Sequence, residues 1–256
     1  MRFVIRSDVG KKRSVNEDRA EVYKHSDEVT LAVIADGMGG HNAGDVASSI
    51  LVEQLADSFK AVVSEPDFRN REFRKEWLHE AVLEINQHIY QSAIENPSCK
   101  GMGTTLDATL LYNDYCLICH VGDSRVYLIS DGSIEQVTKD HSYVNALVES
   151  GEISQEQAEH HPQKNLILKA IGSEKAITPD FIEFPVDEHS VLLLCSDGLS
   201  NKLSGNEILT VLEKAENLEA AGDELIRQAN DRGGEDNISL IIMSEMSGEV
   251  QQDVDR

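Results

Sequence analysis

Residues 29–37 read VTLAVIADG and residues 191–198 read VLLLCSDG, two apolar runs that each finish in Asp-Gly. Each has the length and apolar content of a buried strand. That places Asp36 and Asp197 at the rim of a core. Asp-Gly between strands is also a strong hairpin signal, and Asp131-Gly132, between YLIS and SIEQVT, reads as a plain hairpin. The other two pairs differ from it: each is followed by a short polar stretch and then a helical pattern, so they carry the functional expectation.

Outward from the first pair, residues 2–6 and 20–24 read as short strands. Residues 43–62 show helical spacing of Val46, Ile50, Leu51, Leu55 and Phe59. Residues 68–94 predict a second long amphipathic helix, and both helices are expected to cover a sheet. The centre is strand-rich over 104–112, 115–121, 124–130 and 133–137, with Asn113-Asp114 as a tight turn in an antiparallel meander. Residues 140–170 are more polar and predict short helices in an insertion. Strands return at 181–185, 191–196 and 238–243, with helices over 205–214 and 218–231. Strands in succession with helices in pairs predict an α+β fold of antiparallel sheets. Residues 1–243 read as one domain and residues 244–256 as an acidic, mobile tail.

The formal net charge is −23, with 46 acidic against 23 basic residues, which disfavours nucleic acid and anionic membrane as partners. The start of the chain shows no apolar signal-peptide region, and no stretch approaches the roughly 18–20 apolar residues of a membrane span. The four cysteines are too scattered for a disulfide scaffold. A cytoplasmic enzyme with reduced thiols is expected.

Acidic residues stand at the edges of apolar segments: Asp36, Asp123 in HVGD, Asp197, and Asp236 in GGEDN, with Glu17-Asp18 close behind the first strand. Ionised carboxylates cannot converge at a core rim without counter-charge, and few basic residues neighbour them in sequence. Metal ions are the natural counter-charge. An oxygen donor set without a His or Cys cluster suits Mg²⁺ or Mn²⁺. Arg13, in GKKRSVNED, offers a guanidinium fork for phosphoryl oxygens. The CxxCH string at 116–120 mimics a haem attachment site but lies inside a strand, where alternate residues face opposite sides. His160-His161 reads as a solvated helix end.

Taken in order, SDVGKKRSVNED, VIADGMGGHNAGDVAS, GMGTTLDATL, HVGDSRVYLI, LLCSDGLSNKL and GGEDNISLII resemble the PPM family, the metal-dependent protein Ser/Thr phosphatases of type 2C. The resemblance runs from about Ser7 to Ile242, and residues 140–172 look like the flap of its bacterial branch. It implies an αββα sandwich of two stacked antiparallel β-sheets flanked by helices. It also implies two ions of Mn²⁺ or Mg²⁺ at a core site. Asp36 would bridge them, Glu17 and the Gly37 carbonyl would join one, and Asp197 and Asp236 the other. Asp123 would help Asp197 hold a third ion, Arg13 would bind the substrate phosphate, and Asp18 would stand behind the ligands. Hydrolysis of phosphoserine and phosphothreonine in proteins by a metal-bridging hydroxide is implied, with a Hanks-type Ser/Thr kinase as the opposing partner. Where the eukaryotic pattern has a histidine acid after the first Asp-Gly, this chain has Met38, which cannot donate a proton. His41 lies near, and a water on the metals is the favoured donor. Two competing readings are a non-catalytic phosphoprotein-binding relative and a metal-dependent phosphodiesterase. Joint presence of Glu17, Asp36, Asp197, Asp236 and Arg13 argues against the first, and the charge of −23 against the second.

Overall fold

The structure, a computed structural model, describes residues 1–40, 43–187 and 189–244. Eleven strands of the described residues make two antiparallel sheets. In the first, β1 (Arg2–Asp8), β11 (Ile238–Ser244), β10 (Val191–Cys195), β7 (Arg125–Ser130) and β8 (Ser133–Gln136) lie side by side in that order. In the second the order is β2 (Asp18–Lys24), β3 (Val29–Met38), β5 (Leu106–Tyr112), β6 (Tyr115–Val121) and β9 (Asp180–Pro185), with the two-residue β4 (Gly103–Thr104) joined to the end of β3.

The uninterrupted apolar runs follow from a sandwich with helices outside both sheets. Along β3, Leu31, Val33 and Ala35 face α1 (Ala43–Val62) and α2 (Arg71–Glu95), while Ala32 and Ile34 face the other sheet. Along β10, Leu193 and Cys195 face α6 (Gly205–Lys214) and α7 (Leu218–Asp231), while Leu192 and Leu194 meet the inter-sheet core. The apolar residues from Val29 to Ala35 and from Leu192 to Cys195 are therefore all buried, at a gain of roughly 25 cal/mol for each Å² of apolar surface removed from water. This is the αββα sandwich.

Local chemistry explains where the boundaries differ from expectation. The second long helix starts at Arg71, because Asn70 caps it by accepting from the Glu72 amide at 2.9 Å. Phe68 precedes it in a single 3-10 turn, packed edge-on against Phe59 and Trp77. Asp131 and Gly132 both have positive φ, 50° and 69°, the backbone of the tight hairpin expected there. The segment after β8 carries two short helices, α3 (Tyr143–Glu149) and α4 (Gln155–Glu159), each capped by a serine. Ser244 closes β11 instead of opening a tail, and the rest of the expected tail, 245–256, lies outside the described residues. No helix among the described residues is long and apolar enough to cross a membrane.

Candidate active site

The two Asp-Gly pairs are built differently. Asp36 is not at the end of its strand: β4 pairs with Gly37 and Met38, so β3 continues past it. The Asp36 amide donates to Thr105 Oγ1 at 2.9 Å, and its carbonyl accepts from the Thr105 amide at 2.9 Å and the Thr104 hydroxyl at 3.1 Å. Asp18 stands directly opposite Asp36 in the β2–β3 register. One residue earlier, the Glu17 carboxylate accepts from the Gly44 amide at 3.1 Å, in the first turn of α1, where the helix dipole favours negative charge. Gly37 is obligatory here: a Cβ would sit 2.2 Å from the Gly44 carbonyl and 2.6 Å from that of Glu17.

Asp197, by contrast, opens α5 (Asp197–Ser200) just beyond the end of β10. Its Oδ2 accepts from Asn201 at 3.0 Å. Ser196 turns inward, donating to Asp18 Oδ2 at 2.8 Å and accepting from the Ser239 amide at 2.9 Å, so one hydroxyl ties the two sheets together. Asn237 does similar work at the start of β11. It donates to the carbonyls of Val9 and Val15, both at 3.0 Å, and accepts from the Glu17 amide at 2.9 Å. The loop carrying Arg13 is thereby pinned to the one carrying Asp236. Gly10, at φ 78°, lies so close that a Cβ would meet the Asp236 carbonyl at 2.2 Å. Arg13 Nη2 reaches Asp236 Oδ2 at 2.9 Å and remains half exposed.

Asp123, in the turn between β6 and β7, is 7% exposed. With Asp197 it lines one end of a cavity of about 660 Å³ whose other walls include Tyr127, Val144, Ala158 and Leu203. Burial, reinforced by the neighbouring carboxylates, raises the pKa of every member of this group that departs from the ordinary range. Asp18 is raised to about 7, Asp123 to about 8 and Asp197 to about 6, and Asp36 lies well above its usual value. The local cations do little to relieve this. Arg13 is engaged by Asp236, and Arg125 is held bidentate by Asp140 at 2.7 to 3.1 Å.

Residues from both sheets thus converge as one acidic cluster: Asp18, Asp36, Asp123, Asp197 and Asp236 feel one another's charge, and Arg13 feels Asp236, Glu17 and Asp36. Buried Oδ1 atoms of Asp18, Asp123 and Asp197 have no hydrogen-bond partner. Unpaired oxygen donors in a negative pocket fit a hard divalent cation. Among the described residues no three His, Cys, Asp or Glu side chains close into a ready-made cage.

Other expectations resolve plainly. Cys116 belongs to the inter-sheet core and Cys119 to the opposite, helix-facing core, so the CxxCH string has no common face. His120 is fully buried against Asp107 at 2.7 Å. His161 caps a local turn, its Nδ1 accepting from the Gln163 amide. Met38 is 36% exposed beside Gly103, and His41 lies outside the described residues. Sequence reasoning missed Ser196, Asn237, Gly44, Thr104 and Thr105, which hold the carboxylates in place. Polar residues directly beside the acidic motifs were the available signal.

Residues 10–241 match the family model for protein phosphatase 2C. The chain belongs to this family, the metal-dependent serine/threonine protein phosphatases. It is 39% identical over 243 residues to the serine/threonine phosphatase stp of Listeria welshimeri, covering 95% of each chain. The solved serine/threonine phosphatase of S. agalactiae superposes with a TM-score of 0.88 at 36% identity, over 95% of this chain and 99% of that one. The catalytic domain of PstP, solved in complex with two manganese ions, gives 0.80 at 36% identity over 94% and 96%.

Proposed function

We propose that residues 1–243 form one phosphatase domain that removes phosphate from phosphoserine and phosphothreonine in proteins, with the acidic cluster as its metal site. Asp36 would lie between two Mn²⁺ or Mg²⁺ ions, Glu17 and the Gly37 carbonyl serving one and Asp197 and Asp236 the other. Asp123 and Asp197 would hold a third. When bound, these ions supply the positive charge that activates water and stabilises a phosphoryl group in transfer.

The chain's own residues do the rest. Arg13 presents its guanidinium at the open edge of the cluster, where two N–H groups can fork onto two phosphoryl oxygens and orient the phosphorus. Asp236 keeps that guanidinium from swinging into solvent. Asp18, tied to Ser196, fixes the spacing between the two sheets behind the ligands. Met38, two residues beyond Asp36, cannot give a proton to the departing serine or threonine oxygen, so the side chain at this position does no acid chemistry.

The observation that carries this reading is the convergence of buried carboxylates with raised pKa values and no sufficient protein counter-charge. A cytoplasmic setting is part of the reading, with a Hanks-type Ser/Thr kinase among the substrates; what supports that partner is the bacterial form of the flap. Phosphate release from a phosphothreonine peptide tests the reading, run with Mn²⁺, with Mg²⁺ and with EDTA beside an Asp197→Ala control. Release should need a metal and vanish in the control. A folded protein that releases nothing with either metal would leave only a phosphoprotein-binding role.

A further inference from the structure

Both roots of the flap are bonded to backbone next to the acidic cluster. At the exit, Ile171 and Thr104 exchange two backbone hydrogen bonds, of 3.0 and 2.8 Å, and the Thr104 hydroxyl reaches the Asp36 carbonyl. At the entry, His141 makes a denser set of contacts. Its amide donates to the Gly122 carbonyl at 2.7 Å, and its ring Nδ1 accepts from the Gly122 amide at 3.1 Å. Its carbonyl accepts from the Leu168 amide at 2.7 Å, joining the two roots to each other.

The ring is oriented from its far side as well. Nε2 faces Asp180 Oδ2 at 3.2 Å and Lys169 Nζ at 3.4 Å. His120 lies against it, ring centroids 4.8 Å apart, and is itself held by Asp107 Oδ1 and the Lys139 carbonyl. Since Nδ1 accepts, the proton of the neutral ring is on Nε2, toward Asp180. Burial, with His120 and Lys169 alongside, lowers the pKa of His141 and so favours this neutral form.

Gly122 is a place where such a hold matters. Its φ is 118°, a conformation an L side chain rarely takes, and a Cβ would meet Thr105 at 2.6 Å. A glycine has the widest backbone freedom of any residue, and the next residue is Asp123, whose buried Oδ1 has no partner. The Gly122 backbone sets where the Asp123 Cα–Cβ bond starts and so bears on the direction of its carboxylate.

We propose that His141 is a positioning residue that latches Gly122, and through it Asp123, to the root of the flap, so that flap placement and cation binding at Asp123 are set together. The cation part rests on the assignment of Asp123 as a metal ligand. The latch itself does not.

Three variants test it in chelator-stripped protein, read by Mn²⁺ titration calorimetry and by hydrogen exchange at the Gly122 amide. His141→Ala removes the acceptor and should weaken the weakest Mn²⁺ step by about tenfold, as loss of a group behind a ligand does. It should leave tighter steps unchanged and expose the Gly122 amide to exchange. In His141→Asn the amide oxygen takes the place of Nδ1, so both readouts should return close to wild type. His141→Gln, whose oxygen reaches the place of Nε2, should behave like His141→Ala. A rescue by Gln and not by Asn overturns the latch, even if the alanine variant fails to fold. So does a folded His141→Ala protein that matches wild type in both readouts. Asp123→Asn separates the two layers: unchanged Mn²⁺ binding in that variant removes the cation part, while Gly122 exchange, which needs no metal, still decides the latch.

Discussion

Glu183 on β9 and Asp36 on β3 are carboxylates on strands of the same sheet, and their surroundings are opposite. Burial pushes the Glu183 carboxyl up, but Lys75 at 2.5 Å, the Tyr115 hydroxyl and Arg71 at 2.6 Å outweigh it and bring it down to about 2. The Arg71 guanidinium also lies over the Tyr115 ring, 4.3 Å from its centroid. Asp36 has Asp18, Asp197, Asp123 and Asp236 around it instead, and burial with their repulsion raises it well above the ordinary range. The protein can therefore neutralise a carboxylate when the fold alone requires it. At the acidic cluster it does not, and in the function proposed above bound metal ions would supply the missing charge. A buried charge without a partner is costly, so on that proposal the cluster is stability given up for binding.

The contrast can be broken most sharply by exchanging charge for amide on each side. Asp36→Asn should lower kcat by at least about a hundredfold, the scale on which single electrostatic groups act in such sites, while Glu183→Gln leaves turnover unchanged. Phosphopeptide kinetics check both. Normal turnover in the Asp36 variant would remove it from the metal site. Arg13→Lys retains the charge but loses the fork, and should raise KM by about tenfold with a smaller effect on kcat, a loss in the range of a charge-assisted hydrogen bond. An unchanged KM would place phosphate elsewhere.

Stability should respond with the reverse pattern. Glu183→Gln takes away the negative charge and one of the two oxygens that accept from Lys75 and Arg71, and should cost about 1–3 kcal/mol in urea unfolding. Its pH dependence has a definite sign. The folded pKa of about 2 lies below the ordinary 4.5, so the contribution is complete above pH 4.5 and is lost as pH falls toward 2. The difference between wild type and Glu183→Gln should therefore shrink at pH 3.5 relative to pH 7. Smallest of all, Asp36→Asn should raise the melting temperature in EDTA by a few degrees, about 2–4 °C for each kcal/mol of repulsion relieved. A fall would mean that Asp36 is compensated within the protein.

Much of this was readable from the chain. The continuous apolar runs at β3 and β10 foretold buried strands, and the acidic residues after them foretold the cluster, because burial pattern and charge are local properties. What was not readable depends on partners distant in sequence. Asp36 lies inside its strand only because Gly103–Thr104 pairs beyond it, and Asp18, expected behind the ligands, is held there by its register with Asp36 and a bond to Ser196 that the chain alone does not show. Asn237 sits in the quoted GGEDN motif, yet its bonds to Val9 and Val15 span more than two hundred residues. His120 read as part of a misleading haem pattern until Asp107 stood opposite it on the neighbouring strand. Helix starts also moved where a single cap decided them, as at Asn70.

The most direct test of the uncompensated cluster is calorimetric titration of chelator-stripped protein with Mn²⁺, comparing wild type with Asp36→Asn and Glu183→Gln. Wild type and Glu183→Gln should bind Mn²⁺ alike, and Asp36→Asn should lose the tight steps. Mn²⁺ binding by the Asp36→Asn protein equal to that of wild type would contradict the account.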